Sequence, residues 1–254
     1  MTYALAGKAV ELGVNHIDTA QYYGPDVANE LIHEALHPYP DDLVIVSKVG
    51  GKRNDAGAWL PAQTPGELRA GVEANLATLD VERVGAVNLR LMDAGEGVDP
   101  SHRVSLDDQL AEMVTLRDEG KIGGIGISNA SLAKVDIAIG SAQITCVQNP
   151  YSLLAQDDGG VLDRCIEAGI AFAPFFPLGS AFPGMPKVTK DAKVINVAQR
   201  HGWTPAQVGL AWLLARADNV LLIPGTSSLA HLEENLAVRD VVLNEADLAE
   251  LNDR

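Results

Sequence analysis

The chain has 254 residues, enough for one large domain or two small ones. Its formal net charge of −15 excludes the basic face that nucleic acid or an anionic membrane requires of a partner. No apolar run is long enough to cross a bilayer, and the first residues carry no signal-peptide pattern. The two cysteines, Cys146 and Cys165, sit in apolar segments outside any metal-ligand or CxxC spacing, which predicts free thiols and a reducing cytoplasm.

In chain order, strand-like runs are expected over residues 14–18, 43–48, 86–91, 123–128, 144–148, 170–175 and 220–224, each after a helical stretch. This alternation specifies a parallel sheet with helical crossovers, an α/β chain of the (β/α)8 TIM-barrel class. Between the first two runs, Gly24-Pro25 breaks the chain, and a helix is expected to start at Pro25, a residue suited to the first helical position. Residues 52–62, with Gly51, Gly57 and Trp59, read as a long irregular loop able to cover a rim, or as a plain connection. Thr64-Pro65-Gly66-Glu67 and Thr204-Pro205-Ala206-Gln207 are capping boxes that start helices. Leu106, Leu110, Met113 and Leu116 form an apolar stripe closed by Gly120. No linker or low-complexity tract divides the chain, so residues 1–254 read as a single domain.

A barrel of this class needs eight strands, one more than the sequence offers. The missing strand should come first, and only residues 2–6 are available for it. About two helical turns fit before the next run, whereas a parallel crossover needs on the order of a dozen residues. The first strand or its crossover is therefore expected to be truncated, by a break near Gly7-Lys8 or by loss of the strand itself.

Polar residues gather where the strands end, the rim that carries the active site in such barrels. His16 and Asp18 share one face of their strand, as do Asn88 and Arg90, and Gln148 shares a face with Cys146 and Ile144. Asp18, Tyr23 and Lys48 would then bring a carboxylate, a phenol and an amine to one rim. A neighbouring ammonium favours the phenolate and eases donation of its proton. The plain alternative is a rim salt bridge beside an unrelated tyrosine, and His16 reads as a structural histidine. An inward Arg90 must be paired or must meet an anionic ligand. Gly225-Thr226-Ser227-Ser228 leads into a helix and offers either a phosphate site or an ordinary capped loop. Phe175, Phe176, Leu178 and Gly179 form either an aromatic wall at the mouth or a packed edge of the core.

From Lys8 onward the sequence resembles the aldo/keto reductases. The stretch HIDTAQYYG resembles that family's active-site segment, and the resemblance implies Asp18, Tyr23 and Lys48 as three members of its catalytic tetrad. GISN and VQNPYS imply Ser128, Asn129 and Gln148 as nicotinamide-carboxamide ligands. FFPLG implies Phe175 stacked on the nicotinamide ring, with Leu178, Gly179 and Ser180 near the pyrophosphate. IPGTSS and the following helix imply Gly225, Thr226, Ser228 and His231 near the adenosine phosphate, and Glu234 and Asn235 near adenine. Two departures stand out. Arg90 occupies the place of the tetrad histidine, where it donates hydrogen bonds but relays no proton. Gly225 and His231 stand where many members have lysine and arginine, which leaves NADH possible beside NADPH.

The resemblance implies NAD(P)H-dependent reduction of an aldehyde or ketone, with Tyr23 as proton donor and no metal. The NLRLMD, FFPLG and IPGTSSLAHL runs resemble a bacterial subgroup that includes pyridoxal reductases, so pyridoxal is a candidate substrate. A nucleotide-binding regulatory barrel with little turnover, like the channel subunits of this family, is the alternative. A Schiff-base aldolase using Lys48 is a third reading, disfavoured because Asp18 should keep that amine protonated.

Overall fold

A computed structural model describes residues 3–92, 104–156, 158–179 and 186–253. They fall into two compact units, Met1–Gln148 and Asn149–Arg254.

In the first unit, α1 (Tyr3–Glu11) precedes β1 (His16–Asp18), α2 (Val27–Leu36), β2 (Val44–Arg53), β3 (Trp59–Ala62) and α3 (Pro65–Leu79). β4 (Val84–Arg90), α4 (Leu106–Asp118), β5 (Ile122–Ser128), α5 (Leu132–Ser141) and β6 (Ile144–Gln148) follow. The parallel strands lie in the order β1-β2-β4-β5-β6. Their register aligns Asp18 with Val46, Lys48 with Asn88, and Arg90 with Ser128 and, through it, Gln148. A core forms where the strand face carrying Val87, Leu89, Ile125 and Ile127 meets Leu68, Val72, Leu79, Leu110, Met113 and Leu116 of α3 and α4, all fully buried. The Thr64 capping box is formed as expected, with Pro65 in the first turn of α3.

Three expectations fail in this unit. Residues 3–6, the only stretch available for a first strand, begin a helix that runs unbroken through Gly7-Lys8; the break expected there is absent, and no strand precedes α1 among the described residues, as the second version of that expectation had it. The helix expected at Pro25 starts at Val27 instead, because Gly24 and Asp26 both adopt left-handed backbone and turn the chain first. Residues 52–62 form a hairpin rather than an irregular loop. β2 runs on to Arg53 and pairs antiparallel with β3, while the Asn54 carboxamide oxygen accepts from the Ala56 and Ala58 amides to close the turn.

The second unit contains α6 (Val161–Ala168), β7 (Ala171–Phe172), α7 (Ala192–His201), α8 (Pro205–Leu214), α9 (Leu229–Leu236) and α10 (Glu245–Asn252). β7 is shorter than the run expected over 170–175, and residues 220–224 form no regular strand, contributing one parallel bridge from Val220 to Phe172. Trp212, Phe172 and Tyr151 pack as an aromatic core, with Tyr151 stacked on Trp212 at 6.0 Å. The Thr204 capping box forms, and the sequence reading missed a third box at Asn244. Asp247 is buried under Arg200 and His201, 2.7 and 3.0 Å from their nitrogens. Burial pushes its carboxyl up, but the bonds from His201, the Asn244 amide and Arg200 together carry it below the usual carboxylate range. Cys165 is buried in α6, and Cys146 is half-buried in β6; neither is in a disulfide.

Candidate active site

At the end of β1 and midway along β2, the Lys48 ammonium is buried and bonded to the Asp18 carboxylate and, at 3.0 Å, to the Thr19 carbonyl. Asp18 is held from its other oxygen by the Gln148 amide at 2.7 Å. A buried pair of this kind persists only where further hydrogen bonds meet its remaining lone pairs and protons, as the Thr19 and Gln148 contacts do here. The Lys48 ammonium lies 5.2 Å from the centre of the Tyr23 ring. Asp18, Lys48 and Tyr23, chosen from the sequence, are thus brought together.

Two adjacent tyrosines have opposite surroundings. Tyr23 is 41% exposed, whereas Tyr22 is 2% exposed and packs edge-on against Tyr23 and Trp59. The Tyr22 hydroxyl is buried without a hydrogen-bond partner among the described residues. Burial, reinforced by Tyr23 and opposed by Arg90, pushes its ionisation far up and leaves it a neutral phenol. His16, next to the pair, is held below its ordinary value by burial; Asp18 opposes the shift and Lys48 adds to it, so the imidazole is neutral.

Arg90 closes β4 with its guanidinium 5.9 Å from the centre of the Trp59 ring. Its backbone is fixed by a close approach of the hairpin. Gly50 has φ +97, and a Cβ there would lie 2.4 Å from the Arg90 carbonyl oxygen. The Gln63 amide donates to the same oxygen at 3.2 Å. Beyond Arg90 in register, Ser128 and Gln148 are buried, and the Ser128 hydroxyl and the Gln148 carbonyl oxygen have no partner among the described residues. Asn129, in left-handed backbone, is exposed and spends its amide on the Leu91 carbonyl.

The sequence reading saw Asn88 on the face of Arg90 but gave it no role. It stands opposite Lys48 in register with both side-chain polar atoms buried and without a hydrogen-bond partner among the described residues. Gly126 makes room for it, since a Cβ there would lie 1.9 Å from the Asn88 oxygen. Tyr22 was passed over, although a second phenol beside the chosen tyrosine was a visible signal, and Trp59 was noted only as part of a stretch able to cover the rim. A cavity of about 250 Å³ runs from Tyr22 and Lys48 past Gly50 to Gly71 and Ala74 of α3.

In the second unit, Leu178, Gly225, Thr226, His231, Glu234 and Asn235 line one cleft of about 360 Å³. Thr189, Pro205 and Ala206, not singled out from the sequence, complete it. Ser228 is instead the cap of α9, accepting from the His231 amide at 3.4 Å, and its own amide donates to the Thr226 hydroxyl at 3.1 Å. Gly179 has φ +89, and a Cβ there would meet the Pro186 carbonyl at 2.2 Å. Phe175 packs edge-on against Phe176 and exchanges backbone hydrogen bonds with residues 149 and 151. Ser180 lies outside the described residues.

Comparison with known proteins gives consistent matches. A profile described as "Aldo/keto reductase family" matches residues 2–253. Pyridoxine 4-dehydrogenase of Escherichia coli (strain K12) is 44% identical over 245 residues, covering 96% of this chain and 83% of that protein. Among solved structures, a thermostable aldo-keto reductase bound to the inhibitor epalrestat superposes with a TM-score of 0.82 at 29% identity, over 98% of this chain and 85% of that one. An aldo-keto reductase from Klebsiella pneumoniae in complex with NADPH gives a TM-score of 0.80 at 26% identity, over 98% and 83%.

Proposed function

This chain belongs to the aldo/keto reductase family of oxidoreductases and has its curled parallel (β/α) barrel fold, and we propose that it reduces the aldehyde of pyridoxal to an alcohol with NADPH. The observation that carries this reading is the buried Asp18–Lys48 pair with its ammonium 5.2 Å from the Tyr23 ring centre.

Tyr23 is the proton donor. Of the two neighbouring phenols it alone is open to a substrate, because Tyr22 is sealed against Trp59. The Lys48 charge stabilises the phenolate left when Tyr23 gives up its proton, and Asp18, fixed by Gln148, holds that ammonium in place. Arg90 donates hydrogen bonds to the developing alkoxide or to an acidic substituent, the part of the tetrad histidine's role that needs no proton transfer. The phenolic oxygen of a hydroxypyridine aldehyde is a suitable acidic partner for it.

The residues fit a nicotinamide dinucleotide. A carboxamide offers both a donor and an acceptor, and the buried, unpartnered Ser128 hydroxyl and Gln148 carbonyl oxygen supply the complementary pair. In the second unit, the Thr226 hydroxyl, His231 and the start of α9 would take an adenosine phosphate, with Glu234 and Asn235 on adenine. Phe175 would lie against the nicotinamide, and Leu178 and Gly179 near the pyrophosphate. When bound, the cofactor supplies the hydride. Gly225 and His231 offer less fixed positive charge than lysine and arginine would, so NADH is expected to substitute in part.

The NADPH-bound Klebsiella pneumoniae structure supports this cofactor, and the name of the Escherichia coli relative supports a pyridoxine-pyridoxal couple. The test is NADPH oxidation, followed by absorbance, with a carbonyl panel that includes pyridoxal. Turnover with pyridoxal sustains the proposal. Turnover with other carbonyls but not pyridoxal overturns the substrate, and cofactor binding without oxidation of any carbonyl overturns the enzyme reading in favour of a binding protein.

A further inference from the structure

Away from the strand ends that carry Lys48, two histidines and a carboxylate converge. His33 and His37 are four residues apart in the segment His33-Glu34-Ala35-Leu36-His37, an H-E-x-x-H spacing that puts both rings on one side of a helix. α2 ends at Leu36, and His37 caps it in extended backbone while its amide bonds the His33 carbonyl. The two rings lie 4.8 Å apart. Asp80 arrives from α3, whose end it forms in left-handed backbone with φ 51. One donor atom from each of His33, His37 and Asp80 lies within 4.8 Å of the other two, and the His37 Nε2 to Asp80 carboxylate separation is 3.8 Å.

We propose that His33, His37 and Asp80 form a binding site for a divalent transition-metal ion, zinc by preference, that clamps the end of α2 to the end of α3. Two imidazoles and a carboxylate are a borderline donor set that suits zinc, with a fourth position left to water. Donors sharing a tetrahedral zinc stand roughly 3.3 Å apart, given bonds of about 2.0–2.1 Å. The three atoms must therefore close by up to about 1.5 Å. His37 and Asp80 can do this, because their side chains are 41% and 72% exposed. The His33 imidazole is also uncommitted, since its buried Nδ1 meets no hydrogen-bond partner among the described residues. The neighbouring backbone is already tied down, because the Tyr39 hydroxyl donates to the Leu79 carbonyl at 2.7 Å, beside Asp80. A chain of charge −15 adds a general attraction for cations.

Glu34 does not belong to the cluster, so the spacing does not carry over the hydrolytic chemistry of helical H-E-x-x-H sites. Helix α2 leads back into β2 at its amino end, which puts the cluster at the opposite ends of the strands from Asp18 and Lys48. In barrels of this class that end serves stability. The proposal is independent of the reductase reading.

The test is calorimetric titration of the untagged full chain with zinc chloride in chelator-free buffer, alongside thermal melts. One equivalent of zinc should bind saturably, and the melting temperature should rise by about 5 °C when free zinc exceeds Kd a hundredfold. His37→Ala and Asp80→Asn should each weaken binding at least tenfold while leaving the zinc-free melt and carbonyl reduction unchanged. Asn tolerates the left-handed backbone at 80, which keeps that variant folded. Absence of saturable binding to the wild-type chain, or undiminished binding in both variants, overturns the site.

Discussion

Each unit buries a carboxylate against cations, and the surroundings of the two pairs differ. Asp247 in the second unit is saturated: Arg200, His201 and the Asn244 amide take its lone pairs, and its helix start is closed by a capping box. Asp18 in the first unit also holds its lysine tightly, yet around that pair the Ser128 hydroxyl, the Gln148 carbonyl oxygen and both polar atoms of Asn88 are buried without partners among the described residues. Unmet polar atoms cost stability. Where they cluster at strand ends they mark a place that something else must fill, whereas a satisfied pair marks a joint. Burial and charge alone do not separate the two; the state of the neighbouring polar atoms does.

That contrast predicts that changes around Asp18 act on chemistry and changes around Asp247 act on folding. The largest effect is expected for Tyr23→Phe, which should lower kcat by roughly 10²–10⁴-fold with an unchanged melting temperature, checked by steady-state kinetics and calorimetry. Full activity in that variant would remove Tyr23 as the proton donor. Asp247→Asn should cost about 2 kcal/mol in denaturant unfolding at pH 7 and leave kcat unchanged, since it weakens charge-assisted bonds of a joint.

The pH dependence sharpens the point. The folded-state ionisation of Asp247 is depressed, so its contribution is fully present above the unfolded carboxylate value of about 3.9 and is lost as the pH falls through its lower folded value. The stability gap between wild type and Asp247→Asn should therefore hold from pH 7 to about 5 and narrow steadily below about 4. A gap independent of pH down to 2 would show that packing, not charge, makes the joint. A smaller effect, about 1–2 kcal/mol, is expected for Gly50→Ala, whose Cβ would press on the Arg90 carbonyl in unfavourable backbone. Because it displaces Arg90, it should also raise KM more than it lowers kcat. Thr204→Ala, removing one cap in the second unit, should cost about 1 kcal/mol and leave kinetics untouched.

Much of the molecule was legible in the sequence because local signals and the global pattern agreed. Thr64-Glu67 and Thr204-Gln207 are short-range motifs whose chemistry is complete within four residues, and both helices begin as read. The strand ends at Asp18 and Gln148 followed from apolar runs that stop at a polar residue, whereas β2, expected to end at Lys48, runs on to Arg53. Residues 3–6 failed for the opposite reason. A count of strands overrode the helical preference of Ala4, Leu5, Ala6 and Ala9, and the chain followed the preference. The hairpin was hidden because its arms are not uniformly apolar, although Asn54 and Gly57 are turn residues that could have revealed it. In the site, side-chain facing could be worked out for Asn88, but not that both its polar atoms would be left unmet, which depends on contacts across strands. The His33, His37 and Asp80 cluster joins two helices far apart in the chain, and only its H-E-x-x-H half is visible from spacing.

The hairpin carries Trp59 to a position beside Tyr22 and between two guanidiniums, with Arg53 at 3.9 Å from its ring centre and Arg90 at 5.9 Å. Of the three tryptophans, Trp212 is sealed in the interior and Trp203 lies flat on His201, both in the second unit. Trp59 is therefore a built-in optical probe of the proposed reaction site around Tyr22 and Arg90. A Trp59→Phe chain compared with wild type would isolate its emission, and an acidic carbonyl compound drawn to Arg90 should change that light in titration before any turnover is measured.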